Sequence, residues 1–122
     1  MDASFLISVD AEQSLVRIRM SGFFSPKDIA RFTAERDAAH LQLRCGPNQH
    51  VTLVDIRGMQ IQLQGSVAEF QKVLSNPRTA GKRIGFVVAQ SLARHQLRRA
   101  ADGRVAEFFT SEDEALRWLT SA

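Results

Sequence analysis

The chain has 122 residues and is short of several things at once: one cysteine, no tyrosine, one tryptophan, three prolines and no long apolar run. Each shortage excludes a class. A lone Cys45 allows no intrachain disulfide and no cysteine-based metal cluster, and it fits a reducing compartment, with the cytoplasm as the default expectation. The longest apolar stretch, Ile84 to Ala89, falls far below the roughly 20 residues that span a bilayer. The start, Met1 to Ser8, carries Asp2 where an export signal would carry a basic residue, so a soluble, unexported chain is expected. The three histidines, His40, His50 and His95, show no pair at metal-ligand spacing along the sequence. Neither a nucleophile elbow nor a dinucleotide glycine pattern is present. Gly81-Lys82 mimics a phosphate loop but lacks the first glycine and the closing Ser or Thr. No catalytic residue, metal or cofactor is therefore expected.

What the chain does have is 44% hydrophobic and 24% charged residues, the composition of one compact domain over residues 1–122. Phe5, Ile7 and Val9 alternate with Leu6 and Ser8, and Val16, Ile18 and Met20 alternate with Arg17 and Arg19. With a short polar connection between them, these stretches predict an antiparallel hairpin whose arginines face water. Ser25-Pro26-Lys27-Asp28 predicts a helix start: a hydroxyl cap, proline at the first helical position and an acid in the positive first turn. That helix should run to about His40, with Ile29, Phe32 and alanines inward.

Val51 to Ile56 is nearly all apolar and β-branched, as a strand buried on both faces of a parallel sheet is, and Lys82 to Ala89 repeats that character. Between them Val67, Phe70 and Leu74 recur at helical spacing. A second helix capped by Ser91, a short strand from Arg104 to Phe109, and a last helix opened by a capping box at Ser111 complete the order ββαβαβαβα. The predicted class is α/β: a single mixed sheet, with an antiparallel N-terminal hairpin plus parallel strands and helices packed on it. The segment Met59 to Gln64 alternates apolar and amide residues and should be extended, either covering the core or offering an apolar lid or edge to a partner.

This order, with the strand ending Val54-Asp55-Ile56-Arg57-Gly58 and a basic helix after Phe86-Val87-Val88, resembles the SpoIIAA-like proteins of the STAS and SEC14-like superfamily over nearly the whole chain. The resemblance implies a non-catalytic regulatory or binding module. In the sporulation anti-sigma-factor antagonists of that superfamily, regulation runs through a phosphorylated serine in an Asp-Ser-Ser-Gly motif. Here the matching stretch reads Leu63-Gln64-Gly65-Ser66, so the phospho-switch does not carry over, and Ser66 is either a displaced acceptor or a helix cap.

In open α/β sheets ligands gather beyond the carboxyl ends of the parallel strands. That edge should hold Asp55, Arg57, Gly58, Ser66, Gln90, Ser91 and Arg94. Arg57 is a bidentate donor suited to a carboxylate or phosphate, or else it pairs with Asp55 and closes the turn. Charge is unevenly spread: residues 1–77 are neutral, 78–104 carry seven basic side chains against Asp102, and 105–122 carry Arg117 against four acids, which leaves +3 overall. Arg94 and Arg98 make a cationic ridge on the helix after Ser91. With no tyrosine and no stacking platform, nucleic acid is an unlikely occupant, leaving a protein partner or small anionic ligand reached through the loop after the third strand and the basic helix face. Peripheral membrane contact and a homodimer stay open. The competing class is a small-molecule or lipid carrier of SEC14-like type, against which the short length argues.

Overall fold

The computed structural model describes residues 3–46, 48–59, 72–73, 81–89 and 106–121. Five strands form one sheet in the order β1-β2-β3-β4-β5: β1 (Ser4–Asp10), β2 (Leu15–Gly22), β3 (Val51–Met59), β4 (Arg83–Val87) and β5 (Ala106–Phe109). β1 and β2 pair antiparallel with Ile7 opposite Ile18, and every later pairing is parallel. The hairpin turn is held by Asp10, whose Oδ1 accepts from the backbone N–H groups of Glu12 at 3.1 Å and Gln13 at 3.3 Å. The helix α1 (Pro26–His40) follows β2, and α2 (Glu112–Leu119) follows β5.

The N-terminus of α1 forms as its sequence dictates. Ser25 Oγ accepts from the Asp28 backbone N–H at 3.2 Å, and Asp28 Oδ2 accepts from the Ser25 backbone N–H at 2.9 Å. Two free backbone donors are thereby satisfied reciprocally. At α2 the Ser111 hydroxyl accepts from the Glu114 backbone N–H at 3.4 Å. The two central helices expected from the sequence fall outside the described residues, except that Lys72 and Val73 are helical.

The sheet's two faces carry separate apolar clusters. On the first, Val16, Ile18, Val54, Ile56, Ile84 and Phe86 pack with Ile29 and Phe32 of α1, and Val73 lies against the same cluster. On the second, Leu15, Val51, Leu53 and Val87 pack with Ala115 and Leu119 of α2. Period-2 alternation decides which face each residue joins, so Arg17, Arg19, Asp55 and Arg57 all belong to the second. Gly85 lets α2 sit close: a Cβ there would lie 3.3 Å from Leu119 Cδ1.

One expectation needs correction, and two contacts stand beside it that no expectation covered. The third strand does not stop at Ile56; β3 continues to Met59, so Arg57 and Gly58 lie in the strand and not in a loop after it. Here β3 carries one residue more than β2, since Arg19 pairs with Asp55 but Ser21 with Gly58 and Gly22 with Met59, so the bulge lies in β3 and pairing resumes beyond it. Two histidines distant in sequence meet: the rings of His40 and His50 are 4.7 Å apart, because the end of α1 and the entry to β3 lie at the same end of the molecule. Arg36 on α1 is buried at 6% exposure, its Nη1 donating to the Val73 carbonyl at 3.3 Å and its Nη2 to Asp37 Oδ1 at 3.0 Å.

Candidate functional site

Parallel pairing of β2 with β3 puts Arg19 directly opposite Asp55. Two residues on, on the same face, stands Arg57. Its guanidinium grips the carboxylate twice, Nε donating to Oδ1 at 3.0 Å and Nη2 to Oδ2 at 2.7 Å, while the Arg57 backbone N–H donates to Oδ1 at 3.1 Å. Arg19 Nε approaches Oδ2 at 3.7 Å from the other side. Of the two sequence readings of Arg57, the pair with Asp55 is the one the fold adopts.

The Asp55 side chain is 11% exposed, whereas those of Arg57 and Arg19 are 46% and 66% exposed. Burial alone would raise the Asp55 pKa, but the hydrogen bonds from the Arg57 side chain and backbone and the charges of Arg57 and Arg19 outweigh it and hold the carboxyl below the usual carboxylate value. In return, the Asp55 carboxylate raises the Arg57 pKa. One carboxylate thus orders two guanidinium groups and leaves the cluster one positive charge in excess.

Next to this cluster Arg17 Nη1 donates to Glu112 Oε1 at 3.1 Å, tying the start of α2 to the middle of β2. Leu6, Arg17, Arg19, Leu53, Asp55 and Glu112 surround a cavity of about 140 Å³. A wider groove of about 420 Å³ runs on the outer side of β1 past Glu35 and Ala38 of α1 and Gln42 just beyond that helix. At the carboxyl end of β3, Gly58 permits close approach to β2: a Cβ on it would lie 2.8 Å from Ser21 Cβ, and Ser21 Oγ shares a 2.6 Å hydrogen bond with Ser4 Oγ.

Of the residues singled out from sequence, Asp55, Arg57 and Gly58 come together. Ser66, Gln90, Ser91, Arg94 and Arg98 lie outside the described residues. Sequence reasoning treated Arg17 and Arg19 only as the wet side of a hairpin and did not assign Leu6 or Glu112 to the site. The spacing of Arg17 and Arg19 by two was the available signal, but it acquires meaning only once β2 is known to run beside Asp55. Among the described residues the parallel strands β2 to β5 follow one another in sequence order, with no reversal of order that would mark a switch point. The cavity lies instead on the sheet face. Among the described residues no group of three or more His, Cys, Asp or Glu side chains is arranged to hold a metal ion, and no helix is long and apolar enough to cross a membrane.

No protein-family model matches the sequence. No curated protein matches it either. Among solved structures, the chain is similar to an uncharacterized protein of the DUF3478 family with a SpoIIAA-like fold from Shewanella loihica PV-4. The TM-score is 0.74 at 18% sequence identity, over 98% of this chain and 96% of that one. At that identity the likeness is one of fold, and it agrees with the resemblance drawn from strand order and the Asp55 to Gly58 motif.

Proposed function

Starting from a SpoIIAA-like fold, we propose that the chain is a non-catalytic regulatory module of the cytoplasm that grips an anionic group, carried by a protein partner or a small ligand, at the carboxyl end of β3. The observation that carries this reading is the capture of Asp55 by Arg57 and Arg19. A carboxylate held ionised by two guanidinium groups makes a poor general base. The nearest described histidine along β3, His50, stands five residues back, about 16 Å at strand rise. The same carboxylate fixes two half-exposed guanidinium groups, which lowers the entropic cost of closing on an incoming carboxylate or phosphate.

The carrier reading finds less support. The cavity beside Asp55, about 140 Å³, lies below the roughly 300 Å³ at which drug-sized ligand sites begin, and the groove of about 420 Å³ past β1 exceeds that size but is an open surface groove rather than an enclosed pocket. Native mass spectrometry of freshly purified protein separates the two, since a co-purifying lipid-sized mass belongs only to a carrier. The direct test follows backbone amide signals while inorganic phosphate, or a short glutamate-rich peptide, is titrated in. Saturable shifts at Asp55, Arg57 and Gly58 that vanish in Arg57→Ala are expected. Shifts that persist in that variant, or none from either probe, overturn the reading.

A further inference from the structure

The second face of the sheet is half covered. α2 packs on β3, β4 and β5, and among the described residues it is the only helix on that face. Over β1 and β2 the surface is a strip about 24 Å long, from seven β1 residues at about 3.4 Å each, and about 10 Å wide. On it Leu6 is 67% exposed, a large apolar side chain open to water. Beside it Arg19 and Arg17 are 66% and 45% exposed. α2 opens with three acids, Glu112, Asp113 and Glu114. The 3.1 Å contact between Arg17 and Glu112 sets this acidic turn at the height of the two arginines.

We propose that this face is where two copies of the chain meet, about a two-fold axis parallel to the strands, each copy's α2 filling the space above the other's β1 and β2. Rotation about such an axis exchanges left and right but preserves height. The acidic first turn of the second copy therefore arrives over Leu6 and Arg19, level with the place where the chain's own first turn meets Arg17. An axis across the strands would invert the height and carry the acids away from the arginines. With Arg17 and Glu112 already paired within each chain, the charges left over are complementary, exposed Arg19 on the strip against Asp113 and Glu114 on the helix start, and the contact is isologous, as closed dimers require. A foreign acidic helix satisfies the same strip, but this chain already carries a helix of the right charge, at the right height and beside the gap it would fill.

A strip of this size, used twice, gives an interface near or below the roughly 1,200 Å² lower limit of stable complexes. The dimer is therefore expected to exchange, with a dissociation constant in the micromolar range. Sedimentation velocity from about 1 to about 500 µM tests it, with melting curves to verify that each variant folds. Leu6→Asp and Arg19→Glu should each weaken the dimer about tenfold or more, and combining Arg19→Glu with Asp113→Arg should recover most of that loss. Arg19 serves both proposed sites, so Arg57 is the residue that separates them: Arg57→Ala, which removes the bidentate half of the anion grip, should leave the dimer intact. A monomer at every concentration overturns the inference. So does a dimer indifferent to Leu6 and Arg19, or a folded charge-swapped pair that does not recover. A monomer whose Leu6 and Arg19 amide signals shift with a synthetic Leu/Glu helical peptide assigns the strip to a foreign helix and overturns it as well.

Discussion

The imidazole rings of His40 and His50 lie 4.7 Å apart and are tilted by 57°, with Gly81 so close that a Cβ on it would sit 3.2 Å from His50 Nε2. Burial, reinforced by the charge of Arg36 and only partly offset by Asp37, pushes the His40 pKa below the ordinary histidine value of 6.5. As pH falls the unfolded chain therefore takes up this proton before the folded chain does. Stability from this group is complete above the ordinary value and is lost as pH drops below it. Urea midpoints measured from about pH 8 down to about pH 5 should decline for the parent chain. His40→Gln should flatten that decline; a variant as pH-sensitive as the parent would show the ring pair to be irrelevant to it.

Asp55 has the opposite sign and a different window. Its pKa is held below the ordinary aspartate value of 3.8, so its contribution to stability is present above that value and is lost as pH falls through the folded-state pKa. Asp55→Asn removes the negative charge and one of the two acceptor oxygens offered to Arg57 and Arg19, turns a donor toward them in its place, and should cost about 1 to 3 kcal/mol near neutral pH. The same substitution should leave the urea midpoint less sensitive to pH in the acid range than the parent's.

Gly85 and Leu119 define how closely α2 approaches β4. Gly85→Val adds a branched side chain where even a Cβ would lie 3.3 Å from Leu119 Cδ1. It should destabilise by about 1 to 3 kcal/mol through overpacking. Pairing it with Leu119→Ala should cost less than the sum of the two single changes, because the cavity of one accommodates the excess of the other. Strict additivity in chemical denaturation would mean the two side chains do not compete for space.

Phe86 is 1% exposed and stacks on Phe108 at 5.1 Å with the rings 18° apart. Phe86→Ala should cost about 3 to 5 kcal/mol, enough to remove a large share of the stability of a domain this size. Thermal melting is a sufficient readout.

Local chemistry was legible in the sequence wherever it is local in space. Ser25, Pro26 and Asp28 announce the start of α1 because a cap is made within four residues. Val51 to Ile56 announces a strand buried on both faces because burial acts on every residue of it. What stayed hidden depends on partners far along the chain. Arg57 lies in β3 at a bulge that shows itself only against the register of β2, a strand some 35 residues earlier. Arg36 carries a charge on a helix and would be read as solvated, yet the carbonyl of Val73 draws it inward. His40 ends α1 and His50 stands just before β3, so no single element's periodicity relates them, and only the return of the connecting chain brings their rings together. Arg19 and Asp55 form half of the site, and their meeting is a product of strand order alone.

The sequential order of the sheet has a consequence for how the protein is made. Each strand after the first pairs with the one that precedes it in the chain. A ribosome delivering the chain from its N-terminus presents β1 and β2 as a self-sufficient hairpin, then supplies β3, β4 and β5 to an edge that already exists. No strand has to wait for a distant successor, and no gap has to be held open for later insertion. Sheet growth can thus keep pace with synthesis, and α2, the last described element, arrives to cover β3 to β5 once they are in place.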